Sequence, residues 1–194
     1  MRVVIVGHHA RRQQAEGLAR LLDAHLLMDE GEHGANAGHN QAIEWAARQV
    51  DRVIVVEDDA QPVAGFRELA QAWLERFPDH LLSFYLGTGR PPQYQLHIAT
   101  HLIAADRTGA DHIMLPRLIH GVCYSVPPSG LSRVLSGWEK HKPADYAVGD
   151  AWGGKVVYPC LSLVDHLDGE SLERPRAIRR ERRRAWRLHP GCIN

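Results

Sequence analysis

The stretch that most constrains this chain is residues 53–59, Val-Ile-Val-Val-Glu-Asp-Asp. Four β-branched residues in a row suit a strand buried on both faces, as in the middle of a parallel sheet. The three carboxylates that follow cannot share that burial, so the strand must end where they begin. In open α/β sheets that carboxyl edge is where ligand crevices form. Three adjacent negative charges repel one another, and a bound cation relieves the repulsion; hard oxygen donors suit Mg2+ or Mn2+. The competing reading leaves Glu57 and Asp58 solvated and makes Asp59 the cap of the next helix.

The flanking sequence alternates strands with helices. Residues 3–6 read as a strand closed by Gly7, and Ala15, Leu18, Ala19 and Leu22 give residues 11–22 a helical face. A second strand spans 25–29, ending on Asp29, and a helix over 36–49 turns Ala42, Ile43, Trp45 and Ala46 inward. After the acids, Pro62 and Gly65 break the chain before a helix over 66–77. Strands are predicted at 81–86, 112–115, 119–126, 156–158 and 161–164, with helices over 94–105, 127–135 and 145–152. This order predicts an α/β fold, a Rossmann-like mixed sheet, mainly parallel, with helices on both faces.

Acids and bases balance at 23 each, so the molecule as a whole has no strong field to offer nucleic acid or a membrane. The exception is the C-terminus, where eight arginines fall between Arg174 and Arg187. As a helix, residues 173–188 would be basic nearly all round, with Ile178 and Trp186 as anchors; they read as an interaction tail or as a solvated helix paired to acids of the same domain. Residues 1–168 are accordingly expected as one domain, and 169–194 as an Arg-rich segment. Cys123, Cys160 and Cys192 are odd in number and form no CxxC pair, which favours a reducing compartment over a disulfide framework. No cleavage pattern follows Met1, and no apolar run approaches the ~20 residues of a membrane span. A cytoplasmic protein with no membrane span is expected.

Five segments in order carry a resemblance: Gly34-Ala35-Asn36-Ala37-Gly38-His39-Asn40, Glu57-Asp58-Asp59, residues 119–126 around Gly121, residues 145–152 with Asp145 and Asp150, and Val164-Asp165-His166. Together they resemble a GT-A glycosyltransferase, a nucleotide-diphospho-sugar transferase. The resemblance implies a GT-A-like fold over residues 1–168 and a Mn2+ or Mg2+ ion bound by Asp59 and His166. Glu57 would contact the ribose or a metal-bound water, with Asp58 beside it. Asn36, Gly38 and Asn40 would lie in the nucleotide-binding segment, where His39 stands at a position often held by Arg. Gly121 would let the donor sugar approach the backbone, and Asp150, with Asp145 in reserve, would face the acceptor as general base if the reaction inverts the anomeric carbon. The expected donor is a UDP-sugar; the acceptor is a glycan, a protein or a nucleic acid, and a second copy of the chain is an expected partner.

Other residues bear on the same pocket. Arg11 and Arg12, at the start of the first helix, would add positive charge at a diphosphate, or simply be solvated. Asp29 would accept from base or ribose, or close a turn. Gly7, His8, His9 and His33 lie in loops that can line the nucleotide site. Three rival readings compete: a nucleic-acid-binding or nucleic-acid-modifying protein using the Arg-rich tail; a sugar nucleotidyltransferase, for which residues 7–12 are a poor phosphate loop; and a receiver-type signalling domain, for which Asp111 precedes its strand instead of ending it.

Overall fold

The computed structural model describes residues 1–167 and 183–191. β1 (Arg2–His8) leads through a 3-10 turn (His9–Arg11) into α1 (Arg12–Leu21), and β2 (His25–Asp29) and α2 (Gly34–Ala46) follow before β3 (Val53–Glu57). The next elements are β4 (Ala60–Pro62), α3 (Phe66–Arg76), β5 (Leu81–Ser83), α4 (Pro92–Thr108), β6 (His112–Leu115) and β7 (Cys123–Ser125). The described elements end with α5 (Pro128–Ser136), α6 (Ala144–Trp152), β8 (Val156–Pro159) and β9 (Val164–His166).

Seven strands form one sheet in the order β2-β1-β3-β7-β5-β8-β6. β1 pairs in parallel with β2 and β3, and β5 with β8, while β7 and β6 run against their neighbours. Five strands therefore share one direction and the sheet is mixed but mainly parallel. Alternate residues of the central strands enter different cores. Val53 and Val55 join α2, α4, α5 and α6 on one face, and Ile54 and Val56 join α1 and α3 on the other. Helices thus cover both faces, and the unbroken β-branched run of β3 follows from double burial.

Several boundaries differ from expectation, for one physical reason: near the sheet edge, loops satisfy backbone groups that a ladder would otherwise pair. The strand expected over 81–86 stops at Ser83, because the Leu86 amide donates to Ser162 Oγ and the Phe84 carbonyl accepts from Leu163. The run 119–126 is extended only over Cys123–Ser125, where the Ile119 amide donates to the Tyr158 hydroxyl. The strand expected over 161–164 instead spans Val164–His166 and pairs antiparallel with β4, a three-residue strand that Pro62 had concealed. No helix among the described residues is long and apolar enough to cross a membrane.

Arg52, just before β3, ties this frame together. Its guanidinium donates to the carbonyls of Phe77, Pro78, His80 and Ser125 and to Ser125 Oγ, closing the α3–β5 loop over the start of the central strand. Arg52→Ala strands several of those acceptors, so a loss of about 3 kcal/mol is expected in urea unfolding. Arg52→Lys should recover little of it, since an ammonium cannot span the same fork of acceptors.

Candidate active site

The parallel β1 and β3 end on the same edge, with Val6 opposite Glu57 in register. Asp58 and Asp59 therefore follow β3 into the space beside His8. Asp58 is buried; its Oδ2 accepts from the His8 amide at 2.9 Å, and its Oδ1 from Arg11 at 2.7 Å. The same Arg11 nitrogen donates to Asp59 Oδ2 at 2.7 Å. Part of the cation that the acids need is thus supplied from within the chain. His166 arrives by the β4–β9 pairing, which sets it opposite Ala60 and puts its Nε2 3.4 Å from Asp59 Oδ2. Asp59 Oδ1 and both ring nitrogens of His166 are buried with no hydrogen-bond partner. Burial and the charge of Glu57 raise the Asp59 carboxyl above its ordinary range, against the pull of His166 and Arg11. Among the described residues, no group of three or more His, Cys, Asp or Glu side chains is arranged to hold a metal ion.

β7 runs antiparallel to β3, so the segment leading into β7 lies at this same edge, and the Glu57 amide donates to Val122 O at 2.9 Å. Gly121 sits against Glu57; an added Cβ would come within 2.9 Å of Glu57 Oε1 and 3.4 Å of His39 Cε1. His39, buried on α2, places Nε2 3.1 Å from Glu57 Oε1 and Nδ1 3.0 Å from the Tyr124 hydroxyl. A carboxylate only accepts, so Nε2 carries the proton and the imidazole aims Glu57. Burial would raise the Glu57 carboxyl, but the hydrogen bond and charge of His39, helped by His166 and Arg183, outweigh it and hold the group below its ordinary range. Asp145, in the first turn of α6, is close enough to feel the charges of Glu57 and His39. Burial and Glu57 push it up to about 6, against the Tyr146 amide that it accepts from.

A cleft of about 230 Å3 opens over this edge, lined by Gly7, His8, Arg11, Asp29, Gly38, His39, Glu57, Asp58, Asp59 and Arg183, among others. That is smaller than the roughly 300–1,000 Å3 of enclosing ligand pockets. A ligand the size of a nucleotide sugar would lie partly in solvent. Gly38 lets α2 close onto β1, since a Cβ there would meet Val6 at 2.8 Å. Asp29 lines the cleft, but its oxygens accept from the amides of Gly31, Glu32, His33 and Gly34, which hold its pKa down at about 2 despite its partial burial. Its carboxylate shapes the loop that begins α2.

Other expected site residues lie apart from this cluster. Arg12 is exposed and pairs with Glu30. Asn36 holds the approach to α6, donating to the carbonyls of Glu139 and Lys142 and accepting from Trp138 Nε1. Asn40 is half-buried on α2 and does not line the cleft. Asp150 is exposed and ion-paired with Lys142 at 2.8 Å and Arg117 at 3.3 Å. Asp111, at the start of β6, pairs with Arg76.

Arg174, Arg176, Arg179, Arg180, Arg182, Ile178 and Cys192 lie outside the described residues. The described part of the Arg-rich segment, 183–191, is not helical but extended along the body. Ala185 bridges to Gly87, the Trp186 indole donates to Gln95, and Arg187 forms a bidentate pair with Asp106. Arg183 is thereby delivered to the cleft.

Two further polar side chains were not picked out by sequence reasoning. Tyr85 is hidden in an apolar run, and His120 stands between Ile119 and Gly121. The Tyr85 ring packs 5.1 Å from that of His120 and 6.2 Å from that of His166. Tyr85 Oη and His120 Nδ1 are buried and without a hydrogen-bond partner. A histidine directly before a glycine in a buried β-branched stretch was the available signal.

No protein-family model matches the sequence, and no curated protein matches it either. Among solved structures the chain is similar to the one titled "Crystal Structure of A197 from STIV", at 9% identity over 87% of each chain with a TM-score of 0.57. At that identity the likeness extends to the overall fold alone.

Proposed function

We propose that the chain is a metal-dependent glycosyltransferase that moves a sugar from a nucleotide-diphospho-sugar, with UDP as the expected nucleotide, to an acceptor hydroxyl. One observation carries the reading. Asp59 Oδ1 and the ring nitrogens of His166 are buried without a hydrogen-bond partner, on side chains that approach to 3.4 Å through Asp59 Oδ2, at the carboxyl end of the central strand, beside the cleft that Asp59 lines. Buried polar atoms without a partner are costly and few in native proteins, so this pair calls for a ligand. A hard divalent ion that keeps waters and shares a substrate's phosphates needs only one or two protein ligands, which is what this pair offers. Such an ion would stabilise the negative charge that builds on a departing diphosphate.

The remaining groups have parts of their own. Arg11 holds Asp58 and Asp59 together before the ligand arrives, and Arg183 adds positive charge at the cleft wall. Glu57, aimed by His39 and Tyr124, offers a fixed acceptor for a ligand hydroxyl. Asp145 does not itself line the cleft, but of the two acids in α6 it is the better candidate base. Its raised carboxyl can take the acceptor's proton near neutral pH, whereas Asp150 is committed to two surface cations.

The experiment that tests the proposal is a thermal-shift panel of nucleoside diphosphates and nucleotide sugars in Mn2+, Mg2+ or EDTA. At a hundredfold excess over Kd, binding to the native state alone adds about 2.7 kcal/mol, a shift of roughly 5–10 °C for a chain of this size. A metal-dependent shift with one nucleotide family supports the reading; no shift with any nucleotide under any metal defeats it. Gly121→Ala, whose Cβ would press on Glu57 and His39, should weaken nucleotide-sugar binding at least tenfold, to be read in the same panel with the melting point of the free variant as control.

A further inference from the structure

Residues 183–191 reach the cleft through a side chain that the metal reading does not use. Past Ala185 this strap is fastened repeatedly. The Trp186 amide donates to the Leu86 carbonyl and its indole to Gln95, the Arg187 carbonyl accepts from the Ser162 amide, and the Arg187 guanidinium pairs with Asp106. The described ties nearest Arg183 are fewer. The Arg184 carbonyl accepts from the amide and hydroxyl of Thr88, and the Ala185 amide donates to Asp165 Oδ1 at 2.7 Å.

The same oxygen of Asp165 accepts from the His166 amide at 2.9 Å. One carboxylate oxygen on β9 thus joins His166 to the strap, two residues from Arg183 and 20 positions along the chain. The two sides depend on it unequally. His166 is also held opposite Ala60 in the β4–β9 ladder, and the Leu167 amide donates to the Asp59 carbonyl at 2.8 Å. Loss of the Asp165 carboxylate therefore falls mainly on the strap.

That placement matters for charge. The described cleft wall carries the carboxylates Asp29, Glu57, Asp58 and Asp59 beside the arginines Arg11 and Arg183, and Arg11 already bonds Asp58 and Asp59. A phosphate entering among these acids needs positive charge at a fixed distance, since charge-assisted hydrogen bonds are short and directional.

We propose that Asp165 is a positioning residue, whose Oδ1 latches the strap to β9 and thereby sets Arg183 where it bonds the phosphates of the nucleotide. This rests on the glycosyltransferase reading.

The test is titration calorimetry with UDP in Mn2+, with the melting point of each free variant as the folding control. Arg183→Ala should weaken UDP binding about tenfold, and Asp165→Ala by a similar factor. Ala185→Pro should do the same without touching the carboxylate. It removes the one amide that donates to Asp165, while the bridge to Gly87 runs through the neighbouring Arg184 carbonyl and Trp186 amide. Asp165→Asn keeps an acceptor oxygen and should stay within about twofold of wild type. Because Asp165 acts through Arg183, the double variant Asp165→Ala/Arg183→Ala should bind within about twofold of Arg183→Ala alone, whereas a general structural role would multiply the two losses. Wild-type affinity in both Asp165→Ala and Ala185→Pro overturns the proposal, as do losses that multiply in the double variant or an Asp165→Asn as weak as Asp165→Ala. Failure of UDP to bind the wild-type chain would instead bring down the transferase reading on which the proposal stands.

Discussion

Asp59→Ala is expected to abolish the metal-dependent thermal shift with nucleoside diphosphates, the whole of the roughly 5–10 °C predicted for the wild-type chain. The variant removes the carboxylate whose Oδ2 stands 3.4 Å from His166 Nε2 and whose Oδ1 has no hydrogen-bond partner. It should nevertheless fold. Asp59 is a buried acid whose carboxyl is raised by burial and by Glu57, so the native state gains little from its charge, and Arg11 keeps Asp58 as a partner. Retained melting temperature with lost nucleotide response is therefore the diagnostic pattern. Undiminished metal-dependent binding in Asp59→Ala would remove this residue from the site.

The second large effect concerns Asp145. Asp145→Asn should lower turnover by about 10²- to 10⁴-fold while leaving donor binding unchanged, the loss expected when a general base is removed. Stability should move the opposite way. The folded-state pKa, raised to about 6 by burial first and then by Glu57, means the native state binds a proton more tightly than the unfolded chain between about pH 4 and 6. Stability from this group thus falls as pH rises through that window, and above it the buried charge is fully felt. Asp145→Asn should then stabilise the protein at pH 7 by on the order of 2 kcal/mol, a gain that fades toward pH 4. Wild-type kcat/KM should fall about tenfold per pH unit below about 6. Asp150→Asn, which breaks only exposed ion pairs, should change turnover little. Full turnover by Asp145→Asn would move the base elsewhere or mean that configuration is retained.

The frame of this fold was legible because its signals are local. Residues 53–56 are β-branched without interruption, and β3 is central and buried on both faces; the periodicity of residues 11–22 and 36–49 likewise marked α1 and α2 to within three residues. That Asp59 and His166 approach each other, to 3.4 Å, accords with the resemblance, which places both at one ion, and not with any local pattern in the sequence. What escaped was set by distant partners. β4 and β9 are three residues each and exist only because they pair with each other. The contact of His39 with Tyr124 spans 85 positions and cannot be read from either neighbourhood. Asp145 and Asp150 share a short helix, but five residues turn a helix by about 140°, so one acid is taken inward and the other left at the surface. The Arg-rich segment reads as a helix, either an interaction tail or one paired to acids of the same domain; its described residues 183–191 are not helical, but Trp186 anchors them on α4 and Arg187 pairs there with Asp106.

The most direct measurement is reciprocal linkage by titration calorimetry: the Kd of Mn2+ with and without UDP, and the Kd of UDP with Mn2+ and with EDTA. An ion held by Asp59 and His166 alone lacks ligands that a diphosphate would supply, so each partner should tighten the other at least tenfold and by the same factor. UDP binding with the same Kd in Mn2+ and in EDTA, or no UDP binding in either, would contradict the account.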